Sequence, residues 1–371
     1  MSDPSQPELQ TKNPARKRMG LCLTGGGITG AMYEVGCLAA LEEFFEGFSA
    51  ADFDVLVASS SGATVALALA GGHPAMRMYR ALLDPADDFF PLDRSHLLRL
   101  DGSEWKRVST SAVGAARRMI SSITSRLLEV NVWDELDRFW DSLPAGFFTL
   151  DAYERFLEAF MTRRSIPASF DTMAHALLLV AYDLDRGERA VFGQGELAQV
   201  PVARATCAAT AMPMLFAPVR IDGRDYIDGG MGPVAHADLA ADAGCDVVVI
   251  VNPMVPVRAD IGDKGVPTGH GLRRRVRDKG LIWVLSQAVR MRSEARLQEG
   301  LLRYGSEHPQ TQIVLLEPDP DDATMFMYSP MNFAARRTIL EDGYVRTTRQ
   351  LKDEGSHLRR ALETAGLVPK R

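Results

Sequence analysis

Two short apolar runs constrain what this chain of 371 residues can fold into. Each ends in glycine or serine, and each is followed by small and apolar residues at helical spacing. Leu21-Cys22-Leu23 stops at Thr24-Gly25-Gly26-Gly27, and from Ala31 onward Met32, Val35, Leu38, Ala39 and Leu41 recur with the period of a helix. Val55-Leu56-Val57-Ala58 stops at Ser59-Ser60-Ser61-Gly62, and Ala63 to Ala70 continues as a small-residue helix closed by Gly71-Gly72. Strand, tight turn and helix, twice in succession, predict an α/β fold: a three-layer α/β/α sandwich around a mainly parallel sheet.

Further strands are expected at Leu177 to Tyr182 and Ala190 to Phe192 around the turn Asp185-Arg186-Gly187. A second hairpin pairs Val219-Arg220-Ile221 with Tyr226-Ile227 around Asp222-Gly223, and core strands are expected at Asp246 to Val251 and Ile313 to Leu316. Helices are expected at Asp151 to Thr162, Leu281 to Leu302 and Glu341 to Ala365. The stretch of about 80–148 keeps helical spacing and reads as a helical insertion. Residues 1–19 are polar and proline-rich and read as a disordered tail; 20–371 read as a single domain, with a C-terminal extension from about 254.

A formal net charge of −6 argues against a dedicated nucleic-acid binder. Cys22, Cys37, Cys207 and Cys245 form no Cys-x-x-Cys pair and lie among small or apolar residues, so they read as buried hydrophobes in a reducing compartment. No apolar run approaches the ~18 residues of a membrane span. The expected location is cytoplasmic, at most peripheral to a membrane.

Three motifs carry chemistry. Gly25-Gly26-Gly27-Ile28-Thr29-Gly30 turns the backbone tightly at a helix start and presents several N–H groups, a nest for a phosphate or a developing oxyanion. It also fits the dinucleotide pattern G-x-G-x-x-G, but the next strand ends in Ser59-Ser60-Ser61, where a ribose-binding acid would stand. Ala58-Ser59-Ser60-Ser61-Gly62, between strand and helix, has the context of a nucleophile elbow; its bland alternative is an N-capping serine run. Asp228-Gly229-Gly230 follows a strand end, where the carboxylate can act as a general base; its bland alternative is a turn aspartate.

In this order, the three motifs resemble the patatin-like phospholipase family. The family's elbow serine falls on Ser60, and its Asp-Gly-Gly aspartate falls on Asp228. Its oxyanion loop falls on Gly25, Gly26, Gly27 and Ile28, closed by Gly30. Ala205 to Pro218 and Val180 to Leu184 resemble further family segments, and the likeness spans roughly 20–253. The resemblance implies a lipid acyl hydrolase with a Ser-Asp dyad, an acyl-enzyme intermediate, an acyl-lipid substrate, and no cofactor or metal. Two positions depart from the pattern. Thr29 stands where the family has Arg or Lys, and Ala58 replaces the first elbow glycine. These departures support the alternative of a weakened, lipid-binding or regulatory relative.

A Ser-His-Asp enzyme would need a histidine, and His236, eight residues after Asp228, is the one to test; a helix start is the competing reading. Arg273, Arg274, Arg275, Arg277 and Lys279 form a basic cluster, and Arg107, Arg117, Arg118 and Arg126 a second. Each reads either as a contact for anionic lipid headgroups or as a solvated helix face. Met325-Phe326-Met327-Tyr328 reads as core in preference to an acyl groove. Oligomeric state is not legible from the sequence.

Overall fold

The computed structural model describes residues 16–84, 86–100, 143–232, 235–258, 265–268, 271–319 and 323–370. In chain order the strands are β1 (Met19–Leu23), β2 (Val55–Ala58), β3 (Arg99–Leu100), β4 (Gly146–Thr149), β5 (Ala176–Asp183), β6 (Glu188–Phe192), β7 (Met214–Phe216), β8 (Val219–Ile221), β9 (Arg224–Asp228), β10 (Val247–Val251), β11 (Val266–Pro267), β12 (Arg273–Arg274) and β13 (Gln312–Leu316). The helices are α1 (Gly27–Phe44), α2 (Gly62–Ala70), α3 (Ala75–Leu83), α4 (Arg94–Leu97), α5 (Asp151–Arg164), α6 (Val202–Thr210), α7 (Ala237–Asp242), α8 (Leu281–Glu307), α9 (Thr324–Met327), α10 (Arg336–Lys352) and α11 (His357–Thr364).

Eight strands form the central sheet in the order β13-β10-β1-β2-β5-β9-β8, with β6 also paired to β5. β13, β10, β1, β2 and β5 are parallel, while β6, β9 and β8 complete antiparallel hairpins. The sequence of β10, Val247-Val248-Val249-Ile250-Val251, shows why it is central: every residue is apolar and buried, as a parallel strand covered on both faces requires. Alternate residues serve different layers. Leu21, Leu23, Leu56, Val247 and Val249 pack with α1, α2 and α10. Cys22, Val55, Val57, Val248 and Ile250 pack with α7 and α8. The result is the α/β/α sandwich that the two strand–turn–helix units predict.

Helix α1 is apolar on nearly every side, and 14 of its residues are buried between the sheet and α10. Gly36 and Gly343 make that crossing close: a Cβ on Gly36 would meet the Leu340 carbonyl oxygen at 2.3 Å, and one on Gly343 the Tyr33 carbonyl oxygen at 2.5 Å.

Several boundaries differ from the expectation. β1 begins at Met19, inside the segment read as tail, because Asp54 and Asp246 hold the Met19 and Arg18 amides. Residues 101–142 of the expected helical insertion lie outside the described residues; its described flanks include β3 and β4, which join β7 in a small second sheet. Of the second basic cluster, Arg107, Arg117, Arg118 and Arg126 fall in that same stretch. The terminal helical segment is two helices, broken where Asp353 accepts the Gly355 amide. All four cysteines are buried and free. Met325 and Phe326 are core residues. No described helix is long and apolar enough to cross a membrane.

Candidate active site

The glycine loop follows β1 and the serine turn follows β2, so the pairing of these strands sets the two motifs side by side. The contact is backbone-close: a Cβ on Gly25 would fall 2.7 Å from the Ser60 Cβ and 2.8 Å from the Ser61 nitrogen. Gly62, at the start of α2, is bound in the same way, with its missing Cβ 2.8 Å from both the Leu23 carbonyl oxygen and the Leu23 Cβ. Ser61 Oγ donates to the Gly27 carbonyl at 2.6 Å and ties one turn to the other.

Ser60 has φ of 53°, a left-handed conformation that a non-glycine residue adopts only where its surroundings impose it. The restraints are visible. The Ser60 amide donates to the Ala209 carbonyl at 2.8 Å, and its own carbonyl shares the Thr210 hydroxyl proton, at 3.1 Å, with the Thr206 carbonyl at 2.7 Å. No side chain of the serine run caps α2, so the capping alternative does not describe this turn.

Register places the aspartate. Ala58 of β2 is level with Leu179 of β5, and Asp228 of β9 is level with Ala181. Asp228 therefore stands level with the position two beyond Ala58, which is Ser60. The Asp228 amide donates to the Ala211 carbonyl at 3.0 Å. Residues 209–211, at the end of α6, thus hold the backbones of both Ser60 and Asp228. Gly229 is required beside them, since a Cβ there would lie 2.2 Å from the Val180 carbonyl oxygen and 2.9 Å from the Ser59 Cβ.

Ser60 and Asp228 line one cavity of about 30 Å³ with Thr24, Gly26, Met212 and Met254. Val289 and Ser293 of α8 also line it. That volume is on the scale of one water molecule. Asp228 is buried; its Oδ1 accepts the Gly230 amide at 2.7 Å, while Oδ2 takes no hydrogen bond of good geometry. Burial pushes its carboxyl up to about 6, against smaller opposing effects of the Gly230 amide and the Ser60 hydroxyl. A carboxylate so poised, next to a serine hydroxyl, has the proton affinity of a general base near neutral pH.

The glycine cradle does not use all its expected donors. The Gly25 amide donates to Glu34 Oε1 at 2.7 Å, so Gly25 contributes shape and not an oxyanion donor. The amides of Gly26, Gly27 and Ile28 have no acceptor among the described residues; they are the open N-terminal donors of α1, with its dipole behind them. The Thr29 amide donates to the Pro330 carbonyl at 3.2 Å, and its buried hydroxyl has no partner. Thr29 does not line the cavity, so it offers neither group there in place of a basic side chain.

His236 is not part of a triad. It is the N-cap of α7, in a left-handed conformation, with Nε2 3.3 Å from the Gly229 carbonyl oxygen. Burial, with Arg189 nearby, lowers its pKa to about 4, so the ring is neutral and Nε2–H is the donor. It braces the backbone after Asp228.

Four contributors escape motif reading. Asn252 accepts from Thr24 Oγ1 at 3.1 Å and from the Met254 amide at 3.1 Å, joining β1 to the cavity wall. Met254 lies against Gly26. Pro330 covers Gly27, whose missing Cβ would fall 2.6 Å from its carbonyl oxygen. Glu34, raised by burial to about 8 and only partly opposed by the Gly25 amide, supports the loop from inside α1. The Asn252-Pro253 break after an apolar strand and a lone acid between Tyr33 and Val35 are the signals that would have found two of them.

The sequence profile of the patatin-like phospholipase family matches residues 21–238. Among solved structures, VipD from Legionella pneumophila is similar at 16% identity, covering 91% of this chain and 67% of VipD, with a TM-score of 0.38. The type III effector protein ExoU is similar at 18% identity, covering 91% of this chain and 53% of ExoU, with a TM-score of 0.38. The ExoU–SpcU complex of the Pseudomonas aeruginosa type III secretion system is similar at 17% identity and a TM-score of 0.32, covering 96% of this chain and 53% of that one. This chain thus spans about half of the ExoU length. The profile match takes in both the glycine loop and Asp228 and more than half of the sequence. On that match, the chain belongs to the patatin-like phospholipase family.

Proposed function

We propose that the protein is a lipid acyl hydrolase in which Ser60 is the nucleophile and Asp228 the general base. One observation carries the reading: a serine held left-handed at a strand–helix turn shares a small cavity with a buried carboxylate whose proton affinity is raised to about 6. Membership of the family supports lipid hydrolysis in general. The dyad and the ester chemistry are the finer claim.

In the first step Asp228 takes the Ser60 hydroxyl proton, and Oγ forms a bond to the ester carbonyl carbon. The carbonyl oxygen becomes an oxyanion, met by the open amides of Gly26, Gly27 and Ile28 at the positive end of α1. Collapse breaks the bond to the alcohol, which leaves with the proton from Asp228. A water molecule then gives its proton to Asp228 and attacks the acyl carbon. The fatty acid departs, and Ser60 recovers its hydrogen. A phospholipid substrate would yield a lysolipid and a fatty acid.

The test is labelling with a fluorophosphonate probe, followed by hydrolysis of short- and long-chain esters and phospholipids by wild type, Ser60→Ala and Asp228→Asn. A Ser60 adduct absent from Ser60→Ala, with hydrolysis lost in both variants, is the expected result. Folded wild-type protein that neither labels nor hydrolyses any ester would leave the lipid-binding reading in its place.

A further inference from the structure

Helix α8 lines the Ser60 cavity through Val289 and Ser293, yet several apolar side chains of its first half stand exposed. Leu281 is 77% exposed, Ile282 60% and Met291 58%, with Val284 and Leu285 also exposed. Leu281, Leu285, Val289 and Ser293 follow one another at intervals of four, so they form one stripe along the helix. Its outer half faces solvent, and its inner half, Val289 and Ser293, lines the cavity.

Basic charge precedes this apolar face. Arg273, Arg274, Arg275 and Arg277 are exposed, with Leu272, against a single carboxylate in the same stretch, Asp278. Lys279 is engaged elsewhere: its ammonium donates to the Phe326 carbonyl at 2.9 Å and sits 3.6 Å over the Trp283 ring. Val266, Ala323 and Phe326, with Trp283 and Val276 against them, form a small core that pins the arginines and the helix start as one platform. Below it, Arg290 is buried and donates to the Pro253 and Val255 carbonyls, and Gln287 bonds both backbone groups of Val257.

We propose that residues 272–291 form the surface by which this protein docks on an anionic lipid bilayer, the exposed apolar stripe entering the interface and the arginines meeting the headgroup phosphates. Exposed apolar side chains flanked by arginines match that partner in both chemistries. A second copy of the chain fits less well, because a two-fold contact through this face would set the arginine clusters against each other. The proposal deepens the hydrolase reading and rests on it for one consequence: docking brings the helix that lines the Ser60 cavity to the lipid surface, so hydrolysis of bilayer lipid depends on this face and hydrolysis of a soluble short-chain ester does not.

The experiment is co-sedimentation of the full chain with vesicles of phosphatidylcholine alone and of phosphatidylcholine with phosphatidylglycerol. Ser60→Ala protein is used, so that binding is read without turnover. Affinity for the anionic vesicles should fall roughly a hundredfold in Arg273→Ser/Arg274→Ser/Arg275→Ser, at about fivefold per arginine. It should fall at least about tenfold in Leu281→Ser/Ile282→Ser. Both sets made in the Ser60 background should retain hydrolysis of a soluble ester while losing hydrolysis of vesicle lipid. Wild-type protein that ignores both vesicle types, or variants that bind as well as the parent, would overturn the proposal. So would light scattering that shows a dimer dissociated by Leu281→Ser/Ile282→Ser. Vesicle binding that persists without any ester hydrolysis would remove the catalytic reading and leave the docking surface standing.

Discussion

Asp228 couples activity to stability. Its carboxyl is raised from 3.8 to about 6 in the folded protein, so the fold favours the protonated form. Ionising it costs stability: the deficit is absent below pH 3.8, grows as pH rises to about 6, and is constant above, on the order of 3 kcal/mol. The proposed mechanism needs the ionised form, so kcat/KM should rise with pH through about 6 and then level off. Asp228→Asn should abolish hydrolysis and raise Tm at pH 7, with little change in Tm near pH 3.8. Thermal melts across pH check the second part, and equal Tm values for the two proteins at pH 7 would count against a desolvated carboxylate. Glu34 gives a second residue-scale test. Its side chain satisfies the Gly25 amide at 2.7 Å, and Glu34→Gln keeps an acceptor there. Glu34→Ala leaves a buried donor unpaired, at about 1–3 kcal/mol, and lets the oxyanion loop shift. We expect a fall in kcat/KM on a soluble ester of roughly ten- to a hundredfold for Glu34→Ala, and of less than about threefold for Glu34→Gln. Equal losses in both would mean that the carboxyl group itself, and not only an acceptor at that position, matters.

Among the elements, α6 does the most to join distant parts of the sequence. Residues 209–211 receive the Ser60 and Asp228 amides, and the Thr210 hydroxyl is shared between the Thr206 carbonyl at 2.7 Å and the Ser60 carbonyl at 3.1 Å. Ser60 can hold φ of 53° because this segment fixes its backbone on both sides. Thr210→Val removes the hydroxyl and keeps the shape. Activity should fall severalfold with a stability loss of about 1 kcal/mol, read by kcat/KM and chemical denaturation. An unchanged kcat would show that the backbone bonds to Ala209 and Ala211 are enough. The strand–turn–helix units and Asp228-Gly229-Gly230 were legible because their chemistry is local: glycines, a serine run and an acid within a few residues. The bracing by α6 was visible only as a small-residue stretch, Ala205 to Ala211, because hydrogen bonds between backbones leave no mark on side-chain identity. The commitment of the Gly25 amide to Glu34 was hidden for a related reason, since the partner lies two helical turns away on a face otherwise apolar.

At the scale of the whole molecule, the part of the chain beyond the family match is built into the site. β13 pairs with β10 in the central sheet, α8 lines the cavity, and Pro330 takes the Thr29 amide and covers Gly27. Helix α10 crosses α1 at Gly36 and Gly343, and α1 carries at its N-terminus the open amides proposed to meet the oxyanion. The sequence offered no specific likeness for this region, because close helix packing asks only for small residues at two crossing points and for volume elsewhere. The crossing allows a direct test. In Gly343→Ala a methyl group would stand 2.5 Å from the Tyr33 carbonyl oxygen, a clash with backbone that no rotamer relieves. The helices must separate, at a cost of about 1–3 kcal/mol. Because α1 is pressed from this side and anchors the glycine loop at its end, hydrolysis of a soluble ester should fall together with Tm. Gly355→Ala, in the turn after α10, serves as the control: its Cβ would be 3.2 Å from the Asp353 carboxylate oxygen, a side chain that can move, and both quantities should stay near wild type. Were Gly343→Ala to lower Tm and leave kcat/KM intact, the C-terminal helices would be stabilising the sandwich without setting the geometry of the site.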